Sequence, residues 1–197
     1  MNNILRKIYT KYFVKNKTKE DLEMIFPAAL NEVSINTLGD NYSIIIYNEN
    51  YRSQFVELIE AAGMSGCDID YWISITLPDG FFLVIEKTSS LLVGACLAAH
   101  KPNERNIYGG CLGWLAVHPN HRGNNLGIIL SGCVVNKLKA SSYRNIYLGT
   151  QDFRLSAIKT YLKLGWIPNI YNEEMYYRWM NIYKDLNINF PVEFKIK

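Results

Sequence analysis

The chain has 197 residues, 49% of them hydrophobic and 20% charged, with a formal net charge of +3. That composition is ordinary for a globular domain, and the length suits one domain or one domain with an appended arm. The small charge argues against nucleic acid as a partner, and no stretch reaches the roughly 18 apolar residues that span a bilayer. Met1–Lys7 has no long apolar signal core, so a cytoplasmic protein is expected.

Residues 1–20 carry Arg6, Lys7, Lys11, Lys15, Lys17 and Lys19, with Ile4, Ile8, Tyr12 and Phe13 at helical spacing. A basic amphipathic helix touches anionic lipid or nucleic acid in some proteins, and more often lies against its own domain or a second copy. Residues 1–40 are therefore expected to form a helical arm packed on a domain spanning 41–197, with a homodimer as the protein partner. Asp21–Ala29 adds a short helical pattern broken by Pro27.

Tyr42–Tyr47 is β-branched and aromatic, the composition of a strand. Asn48 or Asn50 caps a helix through Ala62 that Gly63 stops, with Phe55, Leu58 and Ile59 on its buried face. A second short helix is expected over Asp68–Ser74, where Tyr71 and Trp72 read as packing aromatics or pocket walls. Pro78-Asp79-Gly80 reads as a turn, after which Phe81–Lys87 and Leu91–His100 form a hairpin. Leu112–Val117 is a buried strand that His118 and Pro119 stop. Arg144–Thr150 is a strand, Phe153–Leu164 a helix ended by Gly165, and Trp166–Ile170 a short strand. Glu173–Leu186 has Met175, Trp179, Met180 and Tyr183 at helical spacing.

Between the strand ending at Val117 and the next helix runs Arg122-Gly123-Asn124-Asn125-Leu126-Gly127. The helix is marked by Leu126, Ile129, Leu130, Cys133, Val134 and Leu138, the stripe of a helix lying on a sheet. A strand, a glycine-bearing loop and a helix leave unpaired N–H groups pointing at one spot. With the helix dipole and Arg122 they form an anion cradle, and a diphosphate is its natural guest. The 4 cysteines, Cys67, Cys96, Cys111 and Cys133, include no Cys-x-x-Cys pair and read as reduced thiols. His118 and His121 stand three apart, but with no helix beneath them and no nearby carboxylate they do not suggest a metal site.

Val117-His-Pro-x-x-Arg122-Gly-x-x-Leu-Gly127 resembles motif A of the GNAT superfamily of acyl-CoA N-acyltransferases. Asn125 stands where that family usually has glycine, and asparagine is among the few residues that tolerate left-handed backbone. Downstream, Ala157, Tyr161 and Gly165-Trp166 match motif B in register, with Trp166 for the usual phenylalanine and Arg154 for a common asparagine. The resemblance covers about Tyr42 to Ile170. It implies an α/β (α+β) GNAT fold, a central mixed, mostly antiparallel twisted sheet with helices on both faces. A final strand is common in the superfamily, where this chain reads as helix.

The resemblance also implies an activity: acetyl transfer from acetyl-CoA to a primary amine, by direct attack in a ternary complex without a metal. Gly123, Asn124, Asn125, Leu126, Gly127 and Ile128, with Arg122, would bind the diphosphate. The edge of Leu115, Ala116 and Val117 would pair with the pantetheine amides, and Arg154 would lie near that arm. A backbone N–H near Val117 would polarise the thioester carbonyl, and Tyr161 would stabilise the leaving thiolate. No cysteine nucleophile is needed. The acceptor would be a small-molecule or peptide amine, with no role for membrane or nucleic acid. Glu86, His100, His118 and Asp152 lie near strand ends and are candidates for the general base. A different reading, a catalytically weak CoA-binding sensor or assembly module of the same fold, rests on Asn125 and Arg154. Tyr161 speaks against it.

Overall fold

The computed structural model describes residues 20–35 and 37–191. The basic stretch expected to be helical over residues 1–19 lies outside the described residues. The elements in chain order are β1 (Leu22–Phe26), β2 (Tyr42–Ile46), α1 (Arg52–Ala61), α2 (Ile69–Ile75), β3 (Thr76–Glu86), β4 (Leu91–His100), β5 (Gly110–Val117), α3 (Leu126–Ala140), β6 (Ile146–Thr150), α4 (Leu155–Lys163), β7 (Ile167–Pro168) and α5 (Glu173–Asp185). Short 3₁₀ turns at Glu49–Tyr51 and Pro119–His121 lead into α1 and the loop before α3.

Seven strands form one sheet in the order β2-β3-β4-β5-β6-β1-β7. Every neighbouring pair is antiparallel except β5 with β6. One face packs on α3, α4 and α5 through a core that includes Leu130, Val134, Ile158 and Trp179. The other packs on α1 and α2 through Phe55, Leu58, Ile59 and Ile69. The expected α/β architecture is the one observed. α5 runs where helical spacing predicts it, capped by the Asn172 side chain accepting from the Met175 N–H.

Asp21–Ala29 is corrected. Its central five residues, Leu22–Phe26, are a strand, inserted between β6 and β7 rather than laid on the domain as a helix. The physical reason is alternation: Leu22, Met24 and Phe26 are 0–3% exposed on the α3 side, while Glu23 and Ile25 point to the other face. Each of those three apolar side chains contributes roughly 1.5–3 kcal/mol by burial, which outweighs a weak helical preference.

Two of the sheet's three register shifts shape the region around the site. Pro78-Asp79-Gly80 does not end β3; the strand passes through it as a bulge, Thr76 pairing with Ala99 and Phe81 with Leu97, with Asp79 at φ 51. A second bulge falls in β5, where Ala95 opposes Ala116 but Leu97 opposes Gly113. The extra residue lies at Trp114–Leu115, and Trp114 has φ 50.

Candidate active site

β5 and β6 pair only over Gly110–Leu112 with Ile146–Leu148, and beyond Leu112 they part. The bulge at Trp114–Leu115 turns β5 away from β6 just where the pairing stops. The opening is a cavity of about 530 Å³. Leu115, Ala157, Tyr161, Thr150 and Arg154 line its α3–α4 side, and Trp72, Trp114, Tyr147, Glu23 and Lys101 its α1–α2 side.

The chain leaves β5 through the Pro119–His121 turn and enters α3 at Asn125, whose φ of 58 and ψ of 10 are left-handed. Gly123 also has a positive φ, 85, and a Cβ there would meet nothing, so the demand at Gly123 is conformational rather than steric. Among the described residues no backbone acceptor serves the N–H groups of Gly123–Ile128; the first helical bond runs from Ile129 N to Asn125 O. The loop is braced from below: Asn124 Nδ2 donates to His121 O at 3.1 Å, and His121 Nδ1 lies 3.1 Å from the Tyr42 hydroxyl. Gly127 sits between β5 and α4, where a Cβ would come no nearer than 3.9 Å to Val117 and Thr160. The fold itself leaves room for a side chain there.

Tyr161 is 5% exposed on α4 and turned to the cavity, and burial pushes its phenol far above the ordinary tyrosine range. Arg154, at the N-cap of α4, lines the same wall and donates from Nε to Gln151 Oε1 at 3.1 Å. Thr150 Oγ1 and Trp114 Nε1 are buried in the cavity wall with no partner among the described residues. A ligand rich in amide and carbonyl groups would satisfy such atoms, and the bare β5 edge beyond Leu112 would take it as an added strand.

None of the four candidate bases borders the cavity. Strand alternation sends His100 to the α3 side, where its Nδ1 lies 2.8 Å from the Tyr143 hydroxyl. Asp152 accepts from Arg178 at 2.7 and 3.1 Å, Glu86 accepts from Ser89 Oγ, and His118 accepts from Asn120 N. The cavity instead receives Glu23 from β1 and Asp21 from just before it, which sequence reasoning missed. The signal was present in the alternation Leu22-Glu23-Met24-Ile25-Phe26. Arg178, 6% exposed, ties this corner together by holding Asp152 and donating to Glu20 O at 2.7 Å.

His118 and His121 meet edge to face at 5.7 Å, and the described residues contain no group of three or more His, Cys, Asp or Glu side chains that could hold a metal. All four cysteines are free thiols. Burial raises the Cys111 thiol to about 12 and the Cys67 thiol to about 11, which makes both poor nucleophiles.

A family model described as acetyltransferase (GNAT) family matches residues 45–166. The chain belongs to that family. GNAT-fold structures superpose on it at low identity. A GCN5-related N-acetyltransferase from Sphaerobacter thermophilus matches with TM-score 0.59 and 16% identity, over 85% of this chain and 54% of that one. A putative GNAT acetyltransferase from Novosphingobium aromaticivorans matches with TM-score 0.52 and 20% identity, over 75% and 59%. The NatC complex solved with Gag peptide and CoA matches with TM-score 0.58 and 20% identity, over 64% of this chain and 85% of that one. The chain thus spans a little over half the length of the first two structures. No curated protein matches it in sequence. The family it belongs to is one of acetyltransferases, whose members use acyl-CoA. Among the described residues no helix is long and apolar enough to cross a membrane.

Proposed function

We propose that the chain transfers an acetyl group from acetyl-CoA to a primary amine that attacks directly in a ternary complex. The observation that carries this reading is the opening between β5 and β6, lined by Leu115 and the buried phenol of Tyr161; β5 runs on past it to the loop that begins α3. Acetyl-CoA supplies an activated thioester; the chain's residues anchor and orient it and manage charge.

Gly123, Asn124, Asn125, Leu126, Gly127 and Ile128 would hold the diphosphate through their N–H groups, aided by Arg122 and the helix dipole. The edge of Leu115, Ala116 and Val117 would hold the pantetheine, with Arg154 beside it. The carbonyl-polarising N–H belongs at the Trp114–Leu115 bulge rather than near Val117, because the bulge is where a strand donor is released from the ladder. The amine attacks as the neutral base, its nitrogen bonds to the carbonyl carbon, the C–S bond breaks, and the proton that the nitrogen sheds ends on the CoA thiol, while Tyr161 donates a hydrogen bond to the departing thiolate. A neutral phenol is required for that role, and burial keeps Tyr161 neutral. The left-handed backbone of Asn125 keeps the conformation a glycine would supply, which supports acyl-CoA binding, and Tyr161 favours transfer over a CoA-binding sensor.

Release of free thiol from acetyl-CoA in the presence of a panel of primary amines tests the proposal. Amine-dependent release with an N-acetylated product is the expected result. Tight acetyl-CoA binding with no release for any amine would favour the sensor.

A further inference from the structure

We propose that the acceptor is an amino acid, a small molecule carrying both an amine and a carboxylate, with its ammonium received at Glu23 and its carboxylate at Lys101. This deepens the acyl-transfer reading and rests on it.

Glu23 opposes Gly149 across the β1–β6 ladder, and Gly149 is the first residue of β6 beyond the last pair with β5. On the far side of the gap the next residue of β5 is Gly113. A Cβ at Gly113 would lie 2.8 Å from the Trp72 ring, and one at Gly149 would meet only Asp21. Gly149 therefore leaves the gap open beside Glu23, and Gly113 lets the Trp72 ring pack close against β5 at its far side. Glu23 is 4% exposed, a costly place for a carboxylate. Asn106 Nδ2 donates to Oε2 at 2.8 Å, Asn169 Nδ2 donates to Oε1, and Arg105 Nε stands 3.7 Å from Oε2. Each carboxylate oxygen has two acceptor sites, so one on each is left for an incoming ammonium. Arg105 is shared with Glu20 at 2.9 Å, and Asp21 joins the same wall, which leaves that wall anionic.

The wall made by α2 and the β4–β5 loop has the opposite character. Lys101 Nζ lies 4.5 Å from the centre of the Trp72 ring, and among the described residues no carboxylate forms an ion pair with it. Trp114, edge-on to Trp72 at 6.2 Å, has a buried indole N–H without a partner. A cation and a hydrogen-bond donor without acceptors face a chamber whose other wall is carboxylate. A diamine would bring like charge to Lys101, and an uncharged amide would forfeit the ion pair. An amino acid satisfies both walls.

The test uses the full chain with acetyl-CoA and a panel of the common L-amino acids, β-alanine and 4-aminobutyrate, each beside its carboxamide, with putrescine as the diamine. Thiol release is followed together with calorimetry on the CoA-loaded protein. At least one amino acid should exceed its carboxamide and putrescine in kcat/KM by about tenfold or more. In Lys101→Met that ratio should collapse to about one, and Lys101→Arg should keep part of it. Glu23→Gln should lower kcat/KM for the amino acid and its carboxamide alike, by about tenfold, since both present the ammonium. A preference for putrescine or carboxamides, or a ratio unchanged in Lys101→Met, overturns the proposal and leaves acyl transfer standing. So does acetyl-CoA binding without amino-acid binding to the CoA complex. Failure to bind acetyl-CoA at all would remove the acyl-transfer reading itself.

Discussion

The loop Arg122–Ile128 and the strand Leu22–Phe26 take their places in the fold by different routes. The loop is local: strand end, turn and helix start lie within about a dozen residues, and each conformation follows from a neighbour in sequence. The strand is remote: Glu23 meets Asn106, Asn169 and Gly149, partners 83 to 146 residues away. The loop that opens α3 is thus built by local chemistry, and the cavity wall at β1 by tertiary pairing. The family model begins at residue 45, so β1 lies outside it. The comparison teaches that neighbours in sequence can set one part of a fold while a cavity wall waits on tertiary pairing.

Breaking the remote wall should have the largest effect. Met24 is 0% exposed in the main core, and Met24→Ala should destabilise the fold by about 2–5 kcal/mol, read as a lower urea midpoint with an unchanged m-value. Retained stability would show β1 to be an accessory to the sheet rather than part of it.

Tyr161→Phe removes a hydroxyl and almost no volume. Turnover should fall about ten- to a thousandfold while acetyl-CoA affinity stays the same. Because burial holds this phenol protonated well above a pH of about 10, Tyr161 should contribute no alkaline limb to the rate profile between about pH 7 and 10. Full turnover in Tyr161→Phe, with chemistry rate-limiting, would make Tyr161 a packing residue.

The local loop is probed more gently. A Cβ at Gly127 meets only ordinary contacts, so Gly127→Val should fold, yet it should weaken acetyl-CoA about tenfold, or about 1.4 kcal/mol, by crowding the ligand's approach. Asn125→Gly should leave affinity equal or slightly tighter, whereas Asn125→Val forces a β-branched residue into left-handed backbone at a cost of about 1–2 kcal/mol. Equal affinities across the Asn125 series, measured by calorimetry, would show that the left-handed backbone has no bearing on the ligand.

What was legible in the sequence divides along the same line. Asn125 stands at a glycine position, and its left-handed backbone follows from the side chain it carries. The apolar stripe from Leu126 to Leu138 predicts α3, and Met175 to Tyr183 predicts α5. β1 was misread because five residues between Asp21 and Pro27 offer too short a window to tell period two from period 3.6. Glu23 as a cavity residue was beyond local reasoning, since its burial depends on Asn106 and Asn169. The base candidates went wrong for a related reason: nearness to a strand end does not say which face a side chain takes. His100 and Lys101 are adjacent, and only Lys101 reaches the cavity. Pro78-Asp79-Gly80 has turn chemistry, and the sheet absorbed it as a bulge.

Amide hydrogen exchange with and without saturating acetyl-CoA tests the central claim, that this opening is the acyl-donor site, most directly. The N–H groups of Gly123–Ile128 have no backbone acceptor among the described residues, and those of Leu115–Val117 lie where β5 has left β6. Acetyl-CoA should slow exchange in both segments by about tenfold or more, with little change in α5. Saturation that leaves Gly123–Ile128 exchanging at its original rate would contradict the account.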